Sequence, residues 1–315
     1  MIRESIKTQR DPSIISEAEE RTFGLLVERH RTNAIRMEDF IGREGYSREG
    51  IERDHLSVES KKARIKEQGT EPTKRAQILE ALLAEQIELS DWFGPSALTI
   101  LPSEYDDLYN GVDTAIEFED KDGFQYLAAG VDITSSAQAV QEKIAKIKKR
   151  IAEGKLTRIK YFESERNKDR KPGPLEQVPL LIIGTEGRTI RELSELWLTI
   201  HRTKLAKKDG GTVLSEESQA NQRQITKEAQ KKIAEHRIQI MLLEQIEKQL
   251  TVFMEYAKKI KKNEIAKKYE DLLELIREIL KEKEITDEDQ EKNEEDAVNA
   301  AIEETLMQFD SLPID

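Results

Sequence analysis

The spacing of hydrophobic positions changes period several times along the chain, and each change marks an element. KRAQILEALLAEQIELSDWFG, from Lys74, carries Ile78, Leu82, Ile87 and Leu89 at helical intervals, with Glu71-Pro72-Thr73 as its start and Gly94-Pro95 as its stop. A short apolar run at 97–101 predicts a strand, and the acidic loop PSEYDDLYNG follows. NGVDTAIEFEDKDGFQYLAAGVDIT then alternates apolar and polar residues on both sides of an Asp-Gly turn, the pattern of a β-hairpin. SSAQAVQEKIAKIKKRIAEG returns to helical period through Val140, Ile144, Ile147 and Ile151 and stops at Gly154. Strands are expected at 158–163 and 179–184, and Thr189 with Glu192 reads as a capping box for a helix carrying Leu193, Leu196 and Trp197. From 71 to 206 the order is helix, strand, hairpin, helix, strand, strand, helix, which predicts a mixed α/β domain.

The flanks read differently. Residues 1–70 form an N-terminal arm, with Phe23, Leu26, Val27, Ile35 and Phe40 at helix-like spacing and then a highly charged stretch that is either helical or flexible. After a Lys/Gly-rich break at 207–211, two long apolar stripes predict a helical hairpin over 207–283. Ile233 to Phe253 line one helix, Ile265 to Leu280 the other, and Lys261-Lys262-Asn263 turns between them. Residues 284–315 read as an acidic tail with one weaker helix near 296–309.

Composition narrows the chemistry. The chain is 37% hydrophobic and 36% charged, with a net charge of −12, and it has no cysteine. A thiolate metal site is therefore excluded, and oxygen ligands point to a hard cation. No run is long and apolar enough for a membrane span, and the first residues lack the apolar stretch of a signal peptide, so a cytoplasmic protein without membrane contact is expected. Charge is segregated: Glu80–Asp120 holds eleven acidic residues and no Lys or Arg, while Val140–Lys171 holds twelve basic against five acidic. An acidic pocket beside a basic stripe suits a metal-dependent enzyme acting on a phosphate backbone; ordinary solvated helix faces are the alternative.

The hairpin carries the sharpest signal, an aspartate after Gly-Val in each half: Asp113 and Asp132. Pairing apolar face with apolar face places both on one side of the hairpin. A turn centred between Lys121 and Asp122 sets Asp113 opposite Gly130 and makes Asp132 its diagonal neighbour, roughly 7 Å away at Cβ. Both carboxylates could then reach one ion at about 2.1 Å per bond. Ala115, Ala128 and Gly130 would leave a floor low enough for a substrate backbone. Glu117, on the same face, is a further candidate ligand. Asp106, Asp107, Glu85 and Glu88 could complete a shell or be plain surface acids.

An aspartate in one strand and an acid in the next, with a helix before and a helix after, resembles the PD-(D/E)XK nuclease superfamily over about residues 71–185. The resemblance implies a restriction-endonuclease-like mixed sheet core flanked by helices, with magnesium or manganese held by Asp113, Asp132 and the Ile133 carbonyl. A metal-activated water would then attack a phosphodiester of DNA or RNA. Thr134 occupies the position of the motif lysine, and Lys143 or Lys146 from the following helix could reach back to replace it. Lys148, Lys149, Arg150, Lys155, Arg158 and Lys160 are candidate contacts to the nucleic-acid backbone. Gly184–Thr189 is a strand-to-helix turn able to hold a phosphate or to serve as a plain connection. His30, His55, His201 and His236 lack metal spacing and are read as non-catalytic. The competing expectation is a non-catalytic scaffold that assembles with itself or a protein partner through the C-terminal helices.

Overall fold

The computed structural model describes residues 14–119, 126–166, 171–208 and 216–313. The chain opens with α1 (Glu17–Thr22), capped by a reciprocal Ser16–Glu19 pair, and passes through a π-helical turn into α2 (Glu28–Arg31). The charged stretch of the arm is a helix, α3 (Arg48–Gln68), started by the Ser47 hydroxyl and stopped by Gly69. Thr73 caps α4 (Lys74–Leu89), and β1 (Leu98–Ile100) follows. The acidic loop contains a π-helical turn, Asp106–Asn110, which leads into β2 (Thr114–Glu119) and β3 (Tyr126–Thr134). The hairpin turn at 120–125 lies outside the described residues. Next come α5 (Ala137–Ala152), β4 (Thr157–Ile159), β5 (Leu175–Val178), β6 (Leu180–Gly184) and α6 (Gly187–Lys208).

The sheet is mixed, in the order β1-β2-β3-β6. β1, β2 and β3 run antiparallel, while β3 and β6 run parallel and are joined through α5; β4 and β5 pair apart from it. Gly184 permits the closest approach, since a Cβ there would meet the Thr134 carbonyl oxygen at 2.0 Å.

The C-terminal half is built onto this sheet. Helices α7 (Glu216–Ala234), α8 (Ile238–Lys259), α9 (Asn263–Lys281), α10 (Asp287–Glu294) and α11 (Ala297–Met307) complete the chain. One buried apolar cluster extends from Leu26 to Leu312 and takes in both the sheet and α8 to α11. Of the places open to the C-terminal helices, the α/β sheet is the one they pack on: α11 lies against α5 and α8, and Phe309 and Leu312 are buried. Helix α8 also covers the free side of β6. Gln249 accepts from Ile182 N at 2.9 Å and donates to Ile182 O at 2.6 Å, and Gln245 does the same for Gly184, at 3.0 Å each way. A smaller cluster of Met37, Phe40, Tyr46, Ile51, Val58 and Tyr161 binds the arm to the strand region. Among the described residues no helix is long and apolar enough to cross a membrane.

Two further expectations change. Helix α6 starts at Gly187, and Thr189 and Glu192 receive the Arg237 guanidinium rather than forming a capping box. The Gly184–Thr189 turn holds an internal anion: the Asp296 carboxylate accepts from Thr185 Oγ1 at 2.5 Å and Glu186 N at 3.0 Å.

Candidate metal and phosphate site

Gly111, at φ +69°, turns the chain out of the π-helical turn and sends residues 112–113 toward β2. In the β2–β3 ladder Thr114 faces Val131 and Ala115 faces Gly130. The ladder ends there, and Asp113, just before it, is held beside Asp132 by both of that residue's chain neighbours: its N donates to Val131 O at 2.9 Å and its Oδ2 accepts from Ile133 N at 2.6 Å. The expected pairing of Asp113 with Gly130 is thus off by two residues, a shift that keeps every side chain on its face and brings the aspartates closer. The low floor is filled by the protein itself: a Cβ on Gly130 would meet Val112 and Leu180 at 3.3 Å, and Ala115 is buried.

Around this pair the carboxylates crowd together. Asp113 accepts from Ile133 N at 2.6 Å. Its carboxyl nevertheless ionises well above the usual range, through burial first and then the charges of Asp132, Asp107 and Glu80. Asp107 is exposed at the surface, yet its carboxyl is pushed up to about 7 by desolvation on its inner side, then by Glu80, Asp132 and Glu104, and it shares a hydrogen bond with Asp113. Asp132 is raised by burial, against the lowering influence of Lys143 and, further off, Lys146 and Arg150. Lys143 Nζ bonds Asp132 Oδ1 directly, so the ammonium from α5 stands where a helix-borne lysine was expected. Thr134 takes no comparable part, because its hydroxyl accepts from Ser136 N at 3.1 Å in the turn into α5.

The other candidates disperse. Glu117 is fully buried, but its carboxylate accepts from Ser164 Oγ at 2.6 Å, Glu165 N at 2.9 Å and Arg166 N at 3.2 Å; it anchors the 164–166 segment and is not a metal ligand here. Asp106 likewise bonds Ser103, Asn110, Lys160 N and Tyr161 N. Glu85 holds Trp197 and Arg29, and Glu88 holds Thr99. The acid of α4 that acts on the site is instead Glu80, which sequence reasoning passed over; His30 lies 3.4 Å from it.

The basic stripe is corrected as well. Lys148 is buried and donates to the carbonyls of Asp310 and Leu312, at 2.9 and 2.7 Å. Arg150 serves Asn110 O and Thr157, and Lys160 pairs with Asp54. Lys155 and Arg158 are exposed but matched with Glu153 and Glu176. Lys149 is exposed, and Lys146, two-thirds exposed, pairs along its own helix with Glu142.

Among the described residues no three His, Cys, Asp or Glu side chains form a ready-made metal cage. Asp113 and Asp132 offer hard oxygen donors whose mutual repulsion a divalent cation would relieve, so the residues fit such an ion. The chain matches no protein-family profile, no curated protein and no solved structure.

Proposed function

We propose that the chain is a divalent-metal-dependent nuclease that hydrolyses phosphodiester bonds of DNA or RNA on a restriction-endonuclease-like core made of α4, β1 to β3, α5 and β6. One observation carries the reading: Asp113 is bonded to Val131 and Ile133 on either side of Asp132, and the Lys143 ammonium rests on Asp132. Asp113, Asp132 and the Ile133 carbonyl would hold magnesium or manganese. When bound, such an ion supplies Lewis-acid polarisation and a water acidic enough to ionise near neutral pH.

The chain's own residues do the rest. Asp113 and Asp132 fix the position of the charge, while Ile133 N–H keeps the Asp113 carboxylate oriented. Lys143 keeps a cation beside the place where negative charge builds on the phosphate, the task Thr134 cannot perform. Asp107 and Asp113 both ionise above the usual carboxylate range, so a cation held there would displace protons and would bind more tightly as pH rises.

The test is manganese calorimetry together with cleavage of plasmid and single-stranded substrates by the intact chain and by Asp132→Ala. The variant should lose roughly 100- to 1,000-fold in cleavage rate, the size expected when a charge-stabilising group is removed. Undiminished cleavage by Asp132→Ala ends this reading. Absence of both cleavage and manganese binding in the intact protein favours the scaffold instead.

A further inference from the structure

The N-terminal arm is tied to the very loop that carries Asp107. Tyr109 Oη donates to Ser57 O at 2.9 Å, Lys61 Nζ bonds Leu108 O and lies 4.5 Å from the Tyr109 ring centroid, and Lys62 meets Glu104 at 2.6 Å. Helical spacing puts Ser57, Lys61 and Arg64 on one stripe of α3. Two of the three are fixed on residues 108–109, so exposed Arg64 continues along the rim of the loop. Helix α5 presents a second stripe, Lys143, Lys146 and Arg150. Its ends are fixed on Asp132 and on the Asn110 carbonyl, so Lys146 projects over the interval between them.

The two stripes flank one turn: α3 holds Glu104, Leu108 and Tyr109, and α5 holds the Asn110 carbonyl. Burial depresses the proton affinity of Lys61, Asp107 raises it, and both Lys146 and Arg64 are near enough to lower it further. Like charges gathered from two helices repel one another even where each has a local contact; a chain of phosphates laid between them would relieve that repulsion and offset its own repulsion from the carboxylates.

We propose that the surface between α3 and α5 is the track by which a nucleic-acid backbone reaches the carboxylate site, with Lys61 and Arg64 on one bank and Lys146 on the other. The proposal rests on the hydrolytic reading of the site, which is the reason for a phosphate polymer over other anions. It replaces the cations around 155–160, which lie toward the β4–β5 pair; Lys146 also has a carboxylate partner, Glu142, but on the exposed face of its own helix.

The experiment is fluorescence anisotropy with labelled single-stranded and duplex 20-mers in EDTA across a salt series, comparing the full chain with R64A/K146A and with K155A/R158A. Exposure of Arg64 and Lys146 keeps the first variant folded, and its circular-dichroism melt should overlay that of the parent. R64A/K146A should bind about tenfold more weakly near 0.15 M salt and lower the slope of log affinity against log salt by about two, at roughly 0.9 for each phosphate no longer neutralised. K155A/R158A should bind as the parent does. Equal affinity of R64A/K146A and the parent, a larger loss in K155A/R158A, or no binding by the parent at low salt each overturn the track. Manganese calorimetry on the same proteins separates the two ideas. Manganese binding without nucleic-acid binding removes only the track, whereas nucleic-acid binding through Arg64 and Lys146 without manganese binding or cleavage removes only the hydrolase.

Discussion

Asp106 and Asp107 are neighbours in the chain, and Glu117 lies four residues from Asp113 along the same strand segment, yet the two members of each pair live in opposite chemistry. Asp106 and Glu117 are buried and surrounded by donors: a hydroxyl and an amide side chain with two backbone N–H groups for the first, a hydroxyl with two backbone N–H groups for the second. Asp107 and Asp113 face other carboxylates and share a hydrogen bond between themselves. A buried acid with a full set of donors ties segments together; one confronted by its own kind stores an unfavourable interaction that only a ligand removes. The difference separates scaffold from chemistry inside one small acidic region.

The sharpest way to break the contrast is Asp113→Asn against Glu117→Ala. Asp113→Asn should lower metal-dependent cleavage by roughly 100- to 1,000-fold while raising the melting temperature of the metal-free protein, since it removes a crowded charge. Glu117→Ala should instead lower unfolding free energy by about 2–4 kcal/mol in urea titrations by orphaning three donors; stability equal to the parent's would contradict its anchoring role. Next in size, Gln249→Leu strips both partners from the Ile182 backbone and should cost about 1–3 kcal/mol, with faster hydrogen exchange at the Ile182 amide.

The smallest effect is pH dependence. Asp107 and Asp113 titrate above their ordinary values in the folded chain, so their contribution to stability is complete below about pH 4 and is lost as pH rises, for Asp107 through about 7. Acids held low by partners, such as Glu19 and Glu192, act in the opposite direction only toward acid pH. The metal-free melting temperature should therefore fall by a few degrees between pH 5 and 8, and saturating manganese should flatten that slope. A metal-free curve that rises toward pH 8 would show that the cluster is relieved from within.

Much of this was legible in the chain because the governing signals are local. Alternation drew Asp113 and Asp132 to neighbouring positions of the hairpin, and helical period carried Lys143 back toward the sheet. The register was less accessible: a slip of two residues leaves alternation intact, so the pattern fixes parity but not alignment. Choosing Glu80 over Glu85 or Glu88 required knowing which side of α4 faces β3, a tertiary fact. Lys148 was readable and was missed, for it lies four residues after Ile144 and three before Ile151, on the apolar stripe, with its ammonium reaching the carbonyls of Asp310 and Leu312. The tail deceived through composition, since its abundant acids mask Val298, Ile302, Leu306, Phe309 and Leu312 at intervals of three or four.

Gln245 and Gln249 have an effect beyond holding α8 in place. By giving β6 the hydrogen bonds that a neighbouring strand would give, they leave it no pairing valence at Ile182 and Gly184. A foreign peptide or a second copy cannot lengthen the sheet there without first prising off a helix that is part of the core, so recognition by strand donation is closed on this side and the molecule is guarded against fibrous self-association through β6.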